Sequence, residues 1–294
     1  MMEQVLTGAA LHELAEKANQ AQPEAPEDYT VDGLRYCGKC RTPKQVRLQT
    51  IPGITVACMC RCAGEKYRRE REEEQKREQL QRVARLRQTG FPDAELARYT
   101  FDRDDGLNPE LSAACRNYVE RFQTFLERGK GLLLYGPPGT GKTFLAACIS
   151  NALIDQGIPC LNTNFARLTN TISGLYEGRQ TFIDNLRQFQ LLVIDDLAAE
   201  RDTEYMAEMV FSIIDARYRQ RLPLIVTGNL TAQELKHPVQ IRRQRLFSRL
   251  FEMCVPIEVK GTDRRRQLLH DTHEADKKLL GLWPYAALLR FSHC

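Results

Sequence analysis

Residues 131–143 read GLLLYGPPGTGKT, an apolar run that leads into a loop of glycine and proline and ends in lysine and threonine. Helix-forming residues follow directly as FLAACISNAL. A strand, a glycine-rich turn and a helix in this order allow backbone N–H groups and the helix N-terminus to surround phosphates. The stretch therefore predicts a phosphate-binding loop that consists of Gly136, Pro137, Pro138, Gly139, Thr140, Gly141, Lys142 and Thr143.

A second motif, LLVIDD, occupies residues 191–196. Its four apolar residues predict a buried strand, and two carboxylates follow at the point where that strand leaves the sheet. We expect Lys142 to pair with the β- and γ-phosphates of ATP, and Thr143 and Asp195 to hold Mg²⁺. Asp196 is placed to polarise the attacking water as a general base, so the two motifs together predict an ATPase.

The chain around both motifs alternates between apolar runs and helix-length segments. Runs bounded by turn residues predict buried strands at 131–135, 158–161, 191–195, 224–227 and 255–259. Helix-length segments separate the first four runs, a pattern typical of a parallel sheet covered by helices on both faces. The sequence thus predicts an α/β domain that begins where Gly90, Phe91 and Pro92 interrupt the preceding helix.

The motifs taken together resemble those of a known family. GPPGTGKT, LLVIDDL, IVTGN at 225–229 and RLFSRLFEMC at 245–254 are similar to the motifs of AAA+ ATPases of the DnaC/DnaI/IstB group. This group includes helicase loaders and transposition ATPases of bacteria and phages, and the resemblance covers about residues 95–265. It implies that Asn229 is the sensor 1 residue that contacts the γ-phosphate. It also implies that Arg249 is an arginine finger that reaches the ATP of the next subunit, with Arg245 as the alternative.

Two features depart from the pattern of the family. AAA+ proteins more often carry glutamate at the position of Asp196, although aspartate is common within this group. The chain also lacks room for the helical lid domain that usually carries the sensor 2 arginine. Arg264 and Arg265 are the candidates to replace that arginine.

Five of the ten cysteines fall within residues 37–62, in the pattern C-x₂-C followed by C-x-C-x-C. Two close pairs are typical of four thiolates around one tetrahedral Zn²⁺. Strand alternation would place the last three cysteines on one face, which leaves the choice of the second pair open. A C-x-C pair directly before a charged helix resembles the zinc pairs of the family, which favours Cys37, Cys40, Cys60 and Cys62 as ligands. Cys58 is then the spare or the true ligand, and a redox switch or the absence of metal are the rival interpretations.

The expected organisation of the chain has five parts. Residues 1–30 form a flexible lead-in with a short helix, and residues 31–64 form the zinc-binding module. Residues 65–89 are almost entirely charged or polar and rich in helix formers, which predicts a solvent-exposed helical connector. The AAA+ ATPase domain then spans residues 90–270, and residues 271–294 form a C-terminal tail.

The net charge of +4 is modest, but arginines cluster at 217–221, 242–249 and 264–266. Such clusters can neutralise phosphates of DNA or of a nucleotide held by a neighbouring subunit. The N-terminus lacks the basic and apolar segments of a signal peptide, and no run approaches the ~20 apolar residues of a membrane span. We therefore expect a cytoplasmic protein without membrane contact.

A helicase loader is the function that these features favour. The zinc module would contact the replicative hexameric DNA helicase, and the ATPase domain would self-associate on ATP and contact single-stranded DNA. An IstB-like transposition ATPase that acts on target DNA is the alternative, although we expect its amino-terminal region to lack the zinc pairs. A small-molecule kinase is the third interpretation, but it needs no arginine from a second subunit.

Residues 162–180 follow the second predicted strand, where the group resembles initiators that insert extra helix to track a DNA backbone. Stacking faces and phosphate partners for DNA are offered here by Phe165, Arg167, Tyr176 and Arg179. An ordinary amphipathic helix is the alternative interpretation of the same residues.

Overall fold

The computed structural model describes residues 8–49, 51, 53–175, 177–197, 204–237, 241–264 and 276–280 of the chain. Its α-helices are α1 (Gly8–Ala21), α2 (Arg61–Gly90), α3 (Pro109–Glu120), α4 (Phe122–Arg128), α5 (Lys142–Asp155), α6 (Phe165–Ser173), α7 (Arg179–Asn185), α8 (Glu204–Gln220), α9 (Ala232–Lys236) and α10 (Ile241–Met253). Its strands are β1 (Tyr29–Val31), β2 (Leu34–Tyr36), β3 (Gln45–Arg47), β4 (Thr55–Ala57), β5 (Gly131–Tyr135), β6 (Cys160–Asn164), β7 (Leu191–Leu197), β8 (Leu224–Gly228) and β9 (Cys254–Glu258). Contacts divide the chain into two compact units, residues 1–80 and 81–294.

The second unit is built on a parallel sheet with the strand order β6-β7-β8-β5-β9. This confirms the predicted α/β fold, in which helices flank a parallel sheet. The second strand begins later than predicted, at Cys160 rather than at Ile158. The reason is that the N–H of Ile158 donates to the carbonyl of Leu153 at 3.0 Å, so the turn that ends α5 still includes this residue.

Successive side chains of the strands pack on opposite faces of the sheet. In β7, Leu192 and Ile194 join an apolar cluster with α6, α8 and α10, whereas Leu191 and Val193 join a second cluster with α3 and α5. A strand that is buried on both faces needs apolar residues at every position rather than at alternate ones. The unbroken apolar run of the LLVI segment follows from this burial.

One arginine of the predicted clusters lies in the core. Arg217 of α8 is 1% exposed, and its guanidinium donates to the carbonyls of Leu186, Phe189, Gln190 and Pro223 at distances from 2.7 to 3.3 Å. Burial lowers the pKa of Arg217 to about 10, so the side chain keeps its charge at neutral pH. The prediction that this residue neutralises external phosphates is wrong, because the side chain is buried and both terminal nitrogens of its guanidinium donate to backbone carbonyls.

The first unit contains α1, the antiparallel pairs β1–β2 and β3–β4, and the first part of α2. Asn19 near the end of α1 donates to the carbonyl of Thr55 at 2.6 Å. Gln22 donates to the carbonyls of Lys44 and Cys58 at 2.9 and 2.8 Å. The described part of the expected flexible lead-in is therefore joined to the cysteine-containing segment by side-chain amides that bind its backbone.

Helix α2 covers the segment predicted as a charged helical connector and extends it by a few residues at its N-terminus. It ends at Gly90, where a Cβ atom would lie 2.4 Å from the carbonyl oxygen of Cys160. Glycine therefore allows the helix end to approach the sheet closely. Neither α2 nor another helix in the described part of the chain combines the length and the apolar character needed to cross a membrane.

Candidate functional site

The predicted phosphate-binding loop connects β5 to α5. Gly141, directly before α5, has a φ of 94°, a left-handed conformation that glycine adopts without strain. Gly139 has a φ of 75°, and a Cβ atom at this position would lie 1.8 Å from the carboxylate of Asp263. The N–H of Arg264 donates to the carbonyl of Gly139 at 3.0 Å, so the chain after β9 packs directly on the loop.

Lys142 is the first residue of α5 and is 6% exposed. Its Nζ donates to the carbonyls of Gly136 and Pro137 at 3.0 and 2.6 Å. The hydroxyl of Thr140 also donates to Pro137, at 2.9 Å, and holds the loop closed around the ammonium group. The loop thus surrounds a positive charge at the N-terminus of a helix, which is a favourable environment for a phosphate.

Asp195 accepts hydrogen bonds from two hydroxyl groups. The Oγ1 of Thr143 donates to its Oδ1 at 2.8 Å, and the hydroxyl of Thr227 in β8 donates to the same oxygen. The structure therefore brings together the two residues predicted to hold Mg²⁺. Thr227 is 2% exposed and was missed by the sequence analysis, although it is the one hydroxyl residue in the apolar strand LIVTG.

Asp196 has an unusual backbone conformation with a φ of 62°. The register of β7 against β8 shifts between Ile194 and Leu197, and such a bulge re-aims the side chains within it. The N–H of Asp196 donates to Thr227 Oγ1 at 3.0 Å, and its carboxylate accepts from the Nδ2 of Asn229 at 3.1 Å. The bulge thus holds the predicted general base beside the predicted sensor 1 residue.

These residues line one cavity of about 730 Å³, a volume within the range that small ligands occupy. The wall is formed by the phosphate-binding loop, the C-terminal ends of β6, β7 and β8, and the segment before α3. The lining residues are Asp93, Glu95, Leu96, Tyr99, Arg103, Asp105, Pro138, Gly139, Gly141, Lys142, Thr143, Phe144, Asn162, Thr163, Asn164, Arg167, Asp195, Asp196, Thr227, Asn229 and Arg264.

Part of the cavity wall is apolar and was not identified from the sequence. Leu96, Tyr99 and Phe144 contribute to it, and the rings of Tyr99 and Phe144 lie 5.3 Å apart. Asn151 of α5 is 1% exposed and donates to the carbonyls of Leu96 and Tyr99 at 3.0 and 2.8 Å. This buried amide fixes the segment that carries the apolar wall, and flat apolar side chains of this kind suit the face of a purine.

Arginines add positive charge to the cavity beyond that of Lys142. Arg264 lines it and forms an ion pair with Asp105 at 3.0 Å. This is one of the two candidates for sensor 2, and the other, Arg265, lies outside the described residues. Arg103 also lines the cavity. The cavity therefore has several cations available for a polyphosphate.

The residues predicted to contact DNA differ in their positions. Phe165 is 1% exposed, so the prediction that it stacks on a base is wrong, because the inward face of α6 carries it into the core. Arg167 lines the nucleotide cavity and makes no ion pair with any described residue. Arg179 is exposed at the start of α7, and Tyr176 lies outside the described residues.

Arg249 of α10 is not among the residues that line the cavity. Its guanidinium forms an ion pair with Asp215 of α8 at 3.1 Å and lies 4.3 Å from the centre of the Tyr218 ring. Its side chain is 35% exposed. Arg245 is exposed and does not line the cavity either. Neither arginine therefore lines the cavity of its own chain, and the arginine finger stays a prediction.

Cysteines of the first unit form a second candidate site. Within 4.8 Å of one another lie the sulfur atoms of Cys37, Cys40, Cys60 and Cys62. Four thiolates at ~2.3 Å from one zinc ion would be about 3.8 Å apart, so the cluster fits a tetrahedral ion. Cys58 lies outside this group, and its sulfur donates to the carbonyl of Pro43 at 3.4 Å. The structure thus brings together the four cysteines that the sequence analysis favoured.

Hydrogen bonds favour the thiolate form of the first cysteine pair, Cys37 and Cys40. The N–H of Cys40 lowers the pKa of Cys37, and the hydroxyl of Thr42 lowers the pKa of Cys40 to about 5. The neighbouring thiol of Cys60 raises the pKa of Cys62 to about 12. Since metals bind thiolates, the first pair favours the required form, whereas the raised pKa of Cys62 means that this thiol would release a proton when a metal binds.

The turn between Cys37 and Cys40 is held by Asp28. Its carboxylate accepts from the N–H of Gly38 at 3.2 Å and forms an ion pair with Lys44. The hydrogen bond from the N–H of Ala25 is the main cause that lowers the pKa of Asp28 to about 2, and the hydrogen bond from Lys44 is the second cause. A Cβ atom at Gly38 would lie 2.1 Å from the carbonyl oxygen of Glu27. The turn therefore needs glycine at this position because the backbone passes so close.

The chain is similar to ATP-binding proteins from two biological processes. The family described as IstB-like ATP binding protein matches residues 65–271. The replicative helicase loader DnaI of Bacillus subtilis is 26% identical over 205 residues, which cover 65% of this chain and 66% of DnaI. A putative insertion sequence ATP-binding protein of Sinorhizobium fredii is 34% identical over 143 residues, which cover 47% of this chain and 45% of that protein.

A solved structure agrees with these sequence similarities. The crystal structure of DnaI aligns with a TM-score of 0.50 and 26% identity, over 61% of this chain and 99% of the DnaI chain in that structure. The alignments with the two sequence relatives span less than two thirds of the relatives' own length. The matched region includes the sheet, the phosphate-binding loop and the residues around the cavity.

Proposed function

The chain belongs to the family of IstB-like ATP binding proteins, and on that premise we propose that it is an ATP-dependent loader of a replicative DNA helicase. Its second unit is an AAA+ ATPase domain. The observation that carries the proposal beyond ATPase activity is the four-cysteine cluster in a separate unit ahead of that domain. The similarity to the helicase loader DnaI supports the same function.

In this proposal ATP binds in the cavity that Lys142 and the phosphate-binding loop line. The purine packs on the apolar wall near Tyr99 and Phe144, and the phosphates lie over the N-terminus of α5. Thr143 and Asp195 hold Mg²⁺, which when bound neutralises charge on the phosphate oxygens. The hydrogen bond between these two side chains supports the assignment, because it places the hydroxyl oxygen of Thr143 and a carboxylate oxygen of Asp195 side by side.

Hydrolysis in this proposal depends on the pair formed by Asp196 and Asn229. The amide of Asn229 donates to the carboxylate of Asp196, which fixes the direction of one oxygen. The remaining carboxylate oxygen orients a water molecule for attack on the γ-phosphate and accepts its proton. Asn229 lines the same cavity, so in this proposal its amide also contacts the γ-phosphate and links the state of the nucleotide to the general base.

Arg249 completes the site of a second chain. It does not line its own cavity, and its side chain is partly exposed on α10. In an ATP-dependent assembly its guanidinium stabilises the charge that develops on the γ-phosphate held by the neighbouring chain. The proposed self-association follows from this requirement, because an isolated chain would lack the arginine.

The cysteine unit serves in this proposal as the contact to the hexameric helicase. One zinc ion bound by Cys37, Cys40, Cys60 and Cys62 would stabilise a segment whose strands contain only three residues each. Single-stranded DNA is the second partner, and Arg179 at the exposed start of α7 is the residue that we propose for a phosphate contact.

The experiment that tests the loader function uses the full chain and the hexameric replicative helicase of the same organism. We expect the two proteins to elute together in the presence of ATP, and the helicase to be transferred onto circular single-stranded DNA. Cys40→Ser should abolish the complex, whereas Cys58→Ser should preserve it, because Cys58 lies outside the sulfur cluster. A helicase that binds neither protein variant nor wild type contradicts the proposal.

A transposition ATPase is the second candidate, because the insertion sequence protein has the higher identity of the two relatives reported above, 34% against 26%. This candidate predicts ATP-dependent binding to double-stranded target DNA and stimulation of a cognate transposase. The same preparation can be tested for both activities. Stimulation of transposase activity without a helicase complex would favour this alternative.

A further inference from the structure

A buried carboxylate, that of Asp215, lies outside the residues that line the nucleotide cavity. This residue lies on α8, its side chain is 7% exposed, and it is too far from the cavity to be one of its lining residues. It forms ion pairs with two arginines, Arg219 on its own helix and Arg249 on α10. A buried carboxylate is retained only where cations compensate for the lost hydration.

The two arginines differ in how closely the protein holds them. The side chain of Arg219 is 79% exposed, so solvent competes for its guanidinium. Arg249 is 35% exposed and is held by a second contact, the face of the Tyr218 ring at 4.3 Å. The contact with Asp215 is an ion pair without hydrogen-bond geometry, so the charge of the carboxylate and the face of the ring together restrict the guanidinium.

The ring of Tyr218 is itself held in place. The carboxylate of Glu252 beside its hydroxyl raises the pKa of Tyr218. Glu252 lies on α10, one turn after Arg249, so the contact joins α8 to the same helix that carries the arginine. The two partners of Arg249, Asp215 and Tyr218, therefore both belong to α8, whereas the arginine belongs to α10.

We propose that Asp215 is the positioning residue of the arginine finger, which directs Arg249 toward ATP bound by a second copy of this chain. The inference rests on the proposed function, in which Arg249 acts between subunits. Asp215 does not line the nucleotide cavity, so in this proposal it acts on hydrolysis through the guanidinium of Arg249. Since an arginine finger is worth ~10³–10⁵ in rate, a small change in its direction is expected to lower turnover strongly.

The primary test is steady-state ATP hydrolysis by Asp215→Asn in the full chain. Asparagine has nearly the same shape but no charge to hold the guanidinium. We expect kcat to fall at least about tenfold while KM and the affinity for ATP change by less than about twofold, because the finger contributes to the transition state. Arg219→Ala is the matched control and should keep kcat within about twofold, since it removes the other partner of the same carboxylate.

Mixing experiments separate a positioning effect from a general defect. Asp215→Asn mixed with Lys142→Ala should regain activity, because one chain supplies an intact cavity and the other an intact finger with its aspartate. Asp215→Asn mixed with Arg249→Ala should regain none, because neither chain supplies a working finger. The double variant Asp215→Asn with Arg249→Ala should be no slower than Arg249→Ala alone.

If Asp215→Asn does not fold, Asp215→Glu replaces it, and we expect an intermediate kcat because the charge is kept but displaced by one methylene. Normal hydrolysis by Arg249→Ala would overturn the proposed role of that arginine. If Arg249→Ala loses hydrolysis but Asp215→Asn keeps the wild-type kcat, only the role of Asp215 is overturned. An increase in kcat in that variant would also overturn it, since it would mean that the ion pair restrains the finger.

Discussion

The hydroxyl of Thr143 lies 2.8 Å from the Oδ1 of Asp195, although Thr143 belongs to the first turn of α5 and Asp195 to the end of a strand far along the chain. The contact exists because α5 begins at the end of β5 while β7 lies two strands away in the same sheet, so the two C-terminal edges face one region. Thr227 from β8, the strand between them, donates to the same carboxylate oxygen. Because of this geometry, substitution of a single side chain can test the assignment of the magnesium ligands.

Thr143→Ala should weaken ATP binding only when magnesium is present. The hydroxyl supplies one ligand to the ion, and its loss is expected to cost roughly tenfold in affinity, in line with a hydrogen bond to a charged group. Isothermal titration with ATP, with and without magnesium, measures both affinities. Equal losses under the two conditions would mean that the threonine shapes the loop rather than holding the ion.

Lys142→Ala and Asp196→Asn should separate binding from hydrolysis. The ammonium group of Lys142 pairs with phosphates in the ground state, so its loss should abolish productive ATP binding. Asp196 acts only when water attacks, so the Asp196→Asn variant should bind ATP normally and hydrolyse almost none. Fluorescent nucleotide binding and phosphate release measure the two steps. Equal loss of affinity in both variants would contradict the assignment of the general base.

Purified chain should contain one zinc ion, and the number should fall toward zero in Cys40→Ser. Cys58→Ser is the matched control, because its sulfur lies outside the cluster and donates to the carbonyl of Pro43. Elemental analysis in reducing buffer without chelator gives the stoichiometry. ATP binding should be unchanged in both variants, since the cluster and the phosphate-binding loop belong to different compact units. Absence of zinc from the wild type would rule out the site.

Arg167→Ala should weaken ATP binding rather than DNA binding. The guanidinium lines the nucleotide cavity and makes no ion pair with a described residue, so a polyphosphate is its natural partner. The expected loss in ATP affinity is roughly tenfold. Asn170→Ala is the control, because Asn170 is an exposed residue of the same helix that does not line the cavity. A loss of single-stranded DNA affinity with unchanged ATP affinity would support the original prediction instead.

The strands and the phosphate-binding loop could be predicted because burial on both faces leaves an unbroken apolar run, and only glycine tolerates the backbone of the loop. The bulge at Asp196 could not be predicted, because a shift in register depends on the neighbouring strand. The apolar wall near Tyr99 was missed for a related reason. Its shape depends on Asn151, which binds two carbonyls that lie more than fifty positions earlier in the chain.

The misplaced side chains have a different origin. Phe165 and Arg217 were interpreted by residue type, as a stacking ring and as a phosphate ligand. In the structure the helix phase decides both positions, because each residue lies on the inward face of its helix. For Phe165 the signal was present in the sequence, since apolar residues recur three and seven positions later. For Arg217 no such signal exists, because its partners are backbone carbonyls of two loops.

Three of the four carbonyls that Arg217 binds, those of Phe189, Gln190 and Pro223, belong to residues just before β7 and β8 begin. One guanidinium therefore holds the starts of two adjacent strands in a fixed position relative to each other. The side chains at the C-terminal ends of these strands depend on that alignment. Asp195 and Thr227 occupy those far ends, so the precision of their contact is established on the opposite side of the domain. A lysine at position 217 would preserve the charge but could not span both loops with its single ammonium group. Loss of these hydrogen bonds would therefore allow β7 and β8 to shift against each other, and the shift would displace Asp195 and Thr227 at the nucleotide site.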